Sequence, residues 1–263
     1  MEFIAEIGLN HNGDLDLALK MVAKAAESGA TTAKFQTYFP SERVKAEHPL
    51  FPLFEECMLS QKDFERIARE CESQGISFLT TAFGLDSLAV VRDLGLSRLK
   101  IASFSIGNRT LLEHAISLGF ELIVSTGASS EREILECNRI LGTSSRHHMF
   151  LHCISEYPVS DPSHLNLVNI SEICRLTGRE VGFSDHTLGS EAFFAASLAG
   201  CKVFEKHFTT DKGLKGPDQE MSANPAEFSS AVREAMRGES LLGEMRKGPY
   251  SFEAGILPFR RVT

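Results

Sequence analysis

Short apolar runs alternate with amphipathic stretches along nearly the whole chain. An apolar run of four to eight residues is typical of a buried strand, and an apolar stripe with a period of 3.6 residues is typical of a helix packed on a sheet. The predicted strands cover residues 3–7, 32–38, 76–81, 99–103, 121–126, 148–152, 181–184 and 203–204. The predicted helices cover residues 15–28, 61–73, 86–94, 110–118, 130–141, 165–176, 191–199 and 225–242.

Eight strands that are each followed by a helix predict the α/β class and, within it, a closed (β/α)8 TIM barrel in a single domain. An open doubly wound sheet is the alternative, but no GxGxxG motif follows the first strand. Residues 39–60 interrupt the alternation with three prolines and no clean period. A connection of this length is often a binding loop, and we expect at most one helical turn in it. The barrel is predicted to cover residues 1–245, with a tail or linker at 246–263.

Composition and charge narrow the functional classes. The formal net charge of −8 argues against a general nucleic-acid-binding protein. Six scattered cysteines without a CxxC pair fit the reduced thiols of a cytoplasmic protein. The chain has neither a signal-peptide pattern nor an apolar run long enough for a membrane span, so no membrane association is expected.

Polar residues cluster where the predicted strands end. Active sites of TIM barrels lie at the carboxyl ends of the strands, so residues far apart in the sequence are expected to converge there. The strand-end residues are Glu6, Asn10, His11, Lys34, Gln36, Thr80, Thr81, Lys100, Ser103, Ser125, Thr126, His152, Ser155, Glu156, Tyr157, Ser184, Asp185, His186, Glu205 and His207.

Two histidines end neighbouring strands. His186 follows the strand at 181–184 and His207 follows the strand at 203–204, with a short helix between them. Parallel neighbouring strands place both imidazoles on one rim, and neutral imidazoles are common ligands of divalent metals. We therefore predict a metal site at this pair, although a hydrogen-bonded structural role for each histidine is the alternative.

Lys34 and Lys100 lie within otherwise apolar strands. A buried charge without a partner is too costly to keep, so each lysine needs an anion. A salt bridge to Glu6 or Glu205 would satisfy it, and so would a phosphate or carboxylate group of a substrate. Nearby hydroxyls at the same level favour a cradle for a small phosphorylated carboxylate.

Several segments together resemble the N-acetylneuraminate (sialic acid) synthase family. The segments are AEIGLNHNG (5–13), KFQT (34–37), LKIAS (99–103), IVSTG (123–127), LHCISEYP (151–158), GFSDHT (182–187), FEKHF (204–208) and KGPD (215–218). The resemblance runs in order from the first strand to the last helix. It implies condensation of phosphoenolpyruvate with N-acetylmannosamine or a related amino sugar to give a sialic-type acid and phosphate.

The resemblance also implies roles for individual residues. His186 and His207 match the metal-binding histidines, usually with manganese, and Mg²⁺ or Co²⁺ are alternatives. The positions that match phosphoenolpyruvate binding are Lys34, Thr81, Lys100, Ser103, Ser125 and Ser184. Gln36, Ser155 and Tyr157 complete the expected substrate-binding set, with Ser155 where some members carry Asn. Glu6, Glu205 and Asp218 match acidic residues expected to act as catalytic acids or bases.

Family members usually continue into a small antifreeze-like domain that reaches the partner's active site in a homodimer. This chain ends about where that linker begins, so we expect the catalytic barrel alone, either as a barrel-only relative or as a shortened chain. The resemblance also implies a homodimer. A metal-dependent hydrolase and a non-catalytic barrel that binds phosphoenolpyruvate or sugar are the alternative functions. The hydrolase would turn over without phosphoenolpyruvate, and the binding module would be stabilised by ligand without releasing phosphate.

Overall fold

The computed structural model describes residues 1–243 and 250–260. Eight parallel strands close into a barrel in the order β1 to β8, with helices around it. The strands are β1 (Glu2–Gly8), β2 (Thr32–Thr37), β3 (Ser77–Ala82), β4 (Arg98–Ile101), β5 (Glu121–Ser125), β6 (Met149–Cys153), β7 (Val181–Asp185) and β8 (Val203–His207). The predicted (β/α)8 barrel is confirmed.

Helices follow every strand of the barrel. They are α1 (Leu15–Glu27), α2 (Pro40–Arg43), α3 (Phe51–Glu56), α4 (Gln61–Ser73), α5 (Leu85–Asp93), α6 (Arg109–Ser117), α7 (Glu131–Leu141), α8 (Val168–Thr177), α9 (Glu191–Leu198) and α10 (Pro225–Leu242). Helix α7 shows why they form here. Ser130 caps its first turn in a capping box with Glu133, and Ile134, Cys137 and Ile140 bury one face at helical spacing.

The interior of the barrel is divided into an apolar layer and a polar layer. At the amino-terminal end of the strands, Ile4, Leu79, Ile123, Met149 and Leu151 form a separate buried cluster. Side chains on a strand return to the same face every second residue. The residues that follow this cluster on the same face are Glu6, Thr81, Ser125 and Cys153, and each is buried. Inside the barrel, the polar residues at the carboxyl ends of the strands therefore lie above a buried apolar layer.

The outward faces of the strands pack against the helices. Phe3, Phe35, Phe183 and Phe204 belong to this outer core, in which each is buried. The phenylalanine-rich composition is used here to fill the space between sheet and helices.

The connection between β2 and α4 holds more structure than predicted. It contains both α2 and α3, where we expected at most one helical turn. Tyr38 and Phe54 pack with Leu9 and Cys57 in a small core of their own. We call residues 38–57 the β2 loop, and it covers one side of the barrel mouth.

One predicted helix start differs from the observed one. The helix predicted at 165–176 begins instead at Val168, after a 3₁₀ turn at Pro162–Leu165. Asn166 separates the two with a left-handed backbone, at φ 45°, which a continuous right-handed helix does not allow. The predicted boundary between residues 245 and 246 lies outside the described residues. Among the described helices, none is both long and apolar enough to cross a membrane.

Candidate active site

The carboxyl ends of the strands surround a cavity at the mouth of the barrel. Twelve of the fourteen predicted site residues line it: Glu6, Lys34, Gln36, Thr81, Lys100, Ser103, Ser125, Tyr157, Ser184, His186, Glu205 and His207. They come from seven of the eight strands and from the loops that follow β4, β6 and β7. The convergence predicted from the sequence is therefore found in the structure.

A network of buried charges forms the floor of the cavity. Lys34 Nζ lies 3.1 Å from Glu6 Oε2 and 3.0 Å from Glu205 Oε2. Lys100 Nζ donates to Ser125 Oγ at 2.5 Å and lies 3.8 Å from Glu205 Oε1. The ion pairs considered for the lysines are thus formed. The four charged groups sum to no net positive charge, so the floor alone does not attract an anion strongly.

The network sets the protonation of its members. Burial alone would lower the pKa of Lys34, but the charges of Glu205 and Glu6 outweigh it, and the pKa is raised. Burial lowers the pKa of Lys100, and the charge of Glu205 offsets only part of this decrease. Burial would raise the pKa of Glu205, but both lysines hold it below its usual range. Glu205 therefore stays ionised between the two lysines.

The wall formed by β4, β5 and β6 presents neutral groups. Ser103 Oγ accepts from Gly127 N at 3.0 Å and contacts Cys153 Sγ at 3.3 Å. A side chain at Gly127 would clash, because a Cβ there would lie 2.4 Å from Ser155 Oγ and 2.9 Å from Ser103 Oγ. Glycine thus lets the backbone approach the cavity wall closely.

The two histidines lie side by side at the ends of β7 and β8, next to the β4–β6 wall. Their ring centroids are 5.7 Å apart, and the ring of Tyr157 lies 4.3 Å from that of His186. Nδ1 of His186 is 2.7 Å from the carbonyl oxygen of Ile154. A carbonyl only accepts, so Nδ1 carries the proton and Nε2 keeps a free lone pair.

The surroundings of the two histidines bear on whether they could hold a metal. Burial, together with neighbouring His207, lowers the pKa of His186 to about 3, so the imidazole is neutral. Nδ1 of His207 is buried without a hydrogen-bond partner. In the described ranges, His, Cys, Asp and Glu side chains do not form a metal-ligand group of three or more. A catalytic zinc site typically has three protein ligands, so a metal held by these two histidines would need water or substrate for its remaining positions.

Two predicted residues lie at the edge of the cavity rather than in its lining. Asp218 Oδ2 is 3.9 Å from His207 Nδ1 at the rim. Asp218 belongs to a loop that Gln219 ties to the β1 end by donating from Nε2 to the carbonyl oxygen of Asn10 at 2.7 Å. Ser155 lies behind the wall, against Gly127. Ser155 is therefore placed to support the wall rather than to contact a ligand directly.

Other strand-end residues point away from the cavity. Lys206 Nζ and Asp185 Oδ2 form a buried ion pair at 2.6 Å on the outer side of β7 and β8. Thr80 bonds to Thr37 on the outer side of β3 and β2, at 2.9 Å. His152 bonds through Nε2 to the carbonyl oxygen of Leu165 at 2.7 Å. They stabilise the strand ends and do not line the site.

The structure adds residues that sequence reasoning missed. Arg43, Phe83, Phe104 and Cys153 also line the cavity. Arg43 lies in the β2 loop. The irregular sequence of this loop does not indicate which of its side chains point toward the cavity. Cys153 is buried, and its position two residues after Leu151 on the same strand face could have indicated that it faces the site.

The barrel and its mouth define the class of protein. A closed (β/α)8 barrel carries two lysines, several hydroxyls and two imidazoles at its carboxyl end, where enzymes of this fold hold their substrates. A family model described as the NeuB family matches residues 21–247. The chain belongs to the NeuB family, and the predicted resemblance is confirmed.

Named relatives agree with this placement. The chain is 37% identical to N,N'-diacetyllegionaminic acid synthase of Legionella pneumophila, over 99% of this chain and 77% of that protein. It is 34% identical to human N-acetylneuraminate-9-phosphate synthase, over 93% of this chain and 72% of that protein.

A solved structure of a similarly named protein has the same fold. The crystal structure of N-acetylneuraminic acid (sialic acid) synthetase from Leptospira borgpetersenii, in complex with citrate, superposes with a TM-score of 0.94 at 35% identity. The match covers 98% of this chain and 90% of that chain. The protein is an enzyme of the sialic acid synthase type, as the sequence predicted.

Proposed function

We propose that the protein condenses phosphoenolpyruvate with an N-acetylated amino sugar, N-acetylmannosamine or a related hexose, to give a nonulosonic acid and phosphate. One observation carries the proposal: two lysines, a set of hydroxyls and two imidazoles converge in a single cavity. A phosphorylated enol carboxylate needs the lysines and the hydroxyls to bind its charged oxygens. An aldehyde that must be polarised needs a metal that the imidazoles could hold. The named relatives support the same reaction class.

We place phosphoenolpyruvate at the floor and the β4–β6 wall. Lys34 and Lys100 would offset the charges of its phosphate and carboxylate, and Ser103 and Ser125 would donate to their oxygens. Glu6 and Glu205 already bind Lys34. Arrival of the anion must therefore weaken these ion pairs or bring further positive charge into the mouth.

We place a divalent metal, Mn²⁺ by resemblance and Mg²⁺ or Co²⁺ otherwise, between His186 and His207. When bound, the metal would act as a Lewis acid on the aldehyde of the open-chain sugar. The carbonyl of Ile154 holds the His186 ring in the tautomer that leaves Nε2 available. The role of Ile154 is to orient this ligand.

We assign charge stabilisation and proton transfer to different carboxylates. Carbon 3 of phosphoenolpyruvate attacks the aldehyde, water adds at carbon 2, and the tetrahedral intermediate loses phosphate. Glu205 remains ionised beside two lysines, so it suits charge stabilisation better than proton transfer. We assign proton transfer to Glu6, which borders the cavity, or to Asp218 at the rim.

An omission experiment tests the proposal. Phosphate release is measured with manganese, phosphoenolpyruvate and a panel of aldoses, leaving out one component at a time. We expect release only when all three are present, and we expect a chelator to abolish it until manganese is restored. Release without phosphoenolpyruvate would indicate a hydrolase. Thermal stabilisation by ligands without release would indicate a binding module.

We further propose that the protein is a homodimer, as the family resemblance implies. Light scattering coupled to gel filtration measures the mass directly. A mass near twice the 29.0 kDa of the chain supports the dimer, and a mass near that of one chain contradicts it.

A further inference from the structure

Arg43 is held in the cavity wall by three aromatic rings. Its guanidinium carbon lies 4.0 Å from the ring centroid of Phe83, 4.4 Å from that of Phe54 and 5.3 Å from that of Tyr38. Cation–π contacts of this kind attract the cation and restrict the orientation of its plane. The side chain is therefore fixed beside the mouth rather than free in solvent.

The hydrogen-bonding capacity of Arg43 is largely unused. Nη1 donates to Gln36 Oε1 at 2.6 Å, and Gln36 in turn donates to Glu6 Oε1 at 2.9 Å. A guanidinium has five N–H donors. Within residues 1–243 and 250–260, no carboxylate lies within ion-pair distance of Arg43. Its charge is not neutralised by a direct partner, unlike the charge of Lys34.

Arg43 follows β2, which lies two strands from β4 on one side of the barrel and two strands from β8 on the other. The carboxylates that act on its charge are Asp218 and Glu6. Asp218 lies 3.9 Å from His207. Ser103 and Ser125, which we assign to phosphoenolpyruvate, lie at the carboxyl ends of β4 and β5, and their hydrogen bonds go to partners other than Arg43. Through Asp218, the guanidinium is linked to the histidine side of the mouth, where we place the second substrate.

The neighbouring residue keeps Arg43 in place. Glu42 Oε1 accepts from the backbone N–H groups of Asp86 and Ser87, each at 3.1 Å. Its Oε2 accepts from the backbone N–H of Phe39 at 3.1 Å. A carboxylate at the first turn of α5 satisfies otherwise unpaired donors and interacts favourably with the helix dipole. Glu42 therefore fastens α2 to α5 before any ligand binds.

We propose that Arg43 is a specificity-determining residue that donates to an oxygen acceptor on the amino sugar, away from its aldehyde carbon. The shared chemistry is a strong oxygen acceptor, which an N-acyl group or a sugar phosphate can supply. The inference rests on the proposed function and extends it to the second substrate.

Titration calorimetry with three probes tests the assignment: N-acetylmannosamine, N-acetylmannosamine 6-phosphate and phosphoenolpyruvate. Arg43→Met keeps the apolar contacts of the stem and removes the donors. We expect sugar binding to weaken about 10- to 100-fold, the effect of losing charged hydrogen bonds, while phosphoenolpyruvate binding changes less than about twofold. A larger loss for the phosphorylated sugar identifies a phosphate contact, and an equal loss for both sugars identifies an acyl or hydroxyl oxygen.

Glu42→Ala is the matched control, because it loosens the same helix but keeps the guanidinium. We expect it to weaken sugar binding less than Arg43→Met does, and melting curves establish that both variants fold. An equal loss in the two variants overturns the assignment, as does an unchanged sugar affinity in Arg43→Met. An equal loss for phosphoenolpyruvate, or a wild-type protein that binds neither sugar, also overturns it. Failure of the proposed function is read separately, from the absence of phosphate release by the wild type.

Discussion

Asp185 and Lys206 form a buried ion pair on the outer side of β7 and β8. Their side chains are 0% and 2% exposed, and they lie directly opposite each other in the β7–β8 register. Lys206 also donates to the carbonyl oxygen of Thr187 at 2.5 Å, and Asp185 accepts from the backbone N–H of Thr187 at 2.8 Å. Each residue precedes one of the two histidines. The pair therefore fixes the strand ends that carry His186 and His207.

Lys206→Met should destabilise the protein strongly. Removing one partner leaves the carboxylate of Asp185 buried without compensation, which costs about 3–5 kcal/mol of unfolding free energy. Chemical denaturation measures the loss. Lys202→Met is the control, because Lys202 bonds to Glu239 at an exposed position on the same side of the barrel, where the loss should stay below about 1 kcal/mol. Equal losses in the two variants would contradict the role of the buried pair.

His148 makes the stability of the fold depend on pH. It is 1% exposed, and its Nδ1 accepts from the backbone N–H of Leu122 at 3.0 Å, which requires a neutral ring. Burial lowers its pKa to about 4. Between a pH of about 6.5 and a pH of about 4, His148 is protonated in the unfolded chain but not in the folded chain. The unfolding free energy therefore falls as the pH drops toward about 4.

His148→Asn should flatten this dependence. The amide oxygen can accept from Leu122 in place of the imidazole, but it does not titrate. We expect the loss of unfolding free energy between pH 7 and pH 4 to shrink by about 1–3 kcal/mol relative to the wild type. His147→Asn, at a neighbouring position 57% exposed, should behave like the wild type. The same pH dependence in His148→Asn as in the wild type would refute the assignment.

At the scale of elements, the β2 loop depends on a glycine in the β1–α1 turn. Gly13 has a positive φ of 76°, and a Cβ there would lie 2.1 Å from the carbonyl oxygen of Glu56 at the end of α3. The loop backbone thus packs directly on this turn. Only glycine allows both the backbone angle and the contact.

Gly13→Ala should displace the β2 loop, and with it Arg43. We expect faster amide hydrogen exchange across residues 38–57 and weaker sugar binding. Gly75→Ala is the control, because Gly75 has a similar φ of 71° but nothing within 4 Å of its Cβ position. It carries the same backbone strain without the clash. If both variants show the same exchange in the loop, strain rather than the contact explains the effect.

The sequence predicted the long elements well and the loop poorly, for physical reasons. Helix α10 was predicted with its observed bounds, because Asn224 and Pro225 mark its start. Helices α2 and α3 are only four and six residues long, which is too short for a 3.6-residue period to emerge. Because Arg43 lies at the end of α2, its place in the site was also beyond sequence reasoning.

At the scale of the whole molecule, strand alternation decides which polar residues share the site. Glu205 and His207 face inward, and Lys206 between them faces outward. The sequence placed all strand-end residues on one rim but did not show which of them face the barrel interior. A one-residue error in a strand's register moves every side chain to the other face of the sheet. The resemblance to a family, rather than periodicity, singled out the inward set. The sequence indicated Glu6 and Glu205 as candidate partners of the lysines, but only the side-chain distances in the structure show that these ion pairs form.

The central claim is that the polar layer at the barrel mouth is the phosphoenolpyruvate site. Its most direct test is the kcat/KM for phosphoenolpyruvate in Lys100→Ala beside Arg98→Ala. Both residues belong to β4, but Arg98 lies at the opposite end, where it donates to Glu2 at 2.8 and 2.9 Å. We predict a loss of about 100-fold or more in Lys100→Ala, the effect of removing one preorganised charge, and less than about threefold in Arg98→Ala. Wild-type kcat/KM in Lys100→Ala, or equal losses in both variants, would contradict the account.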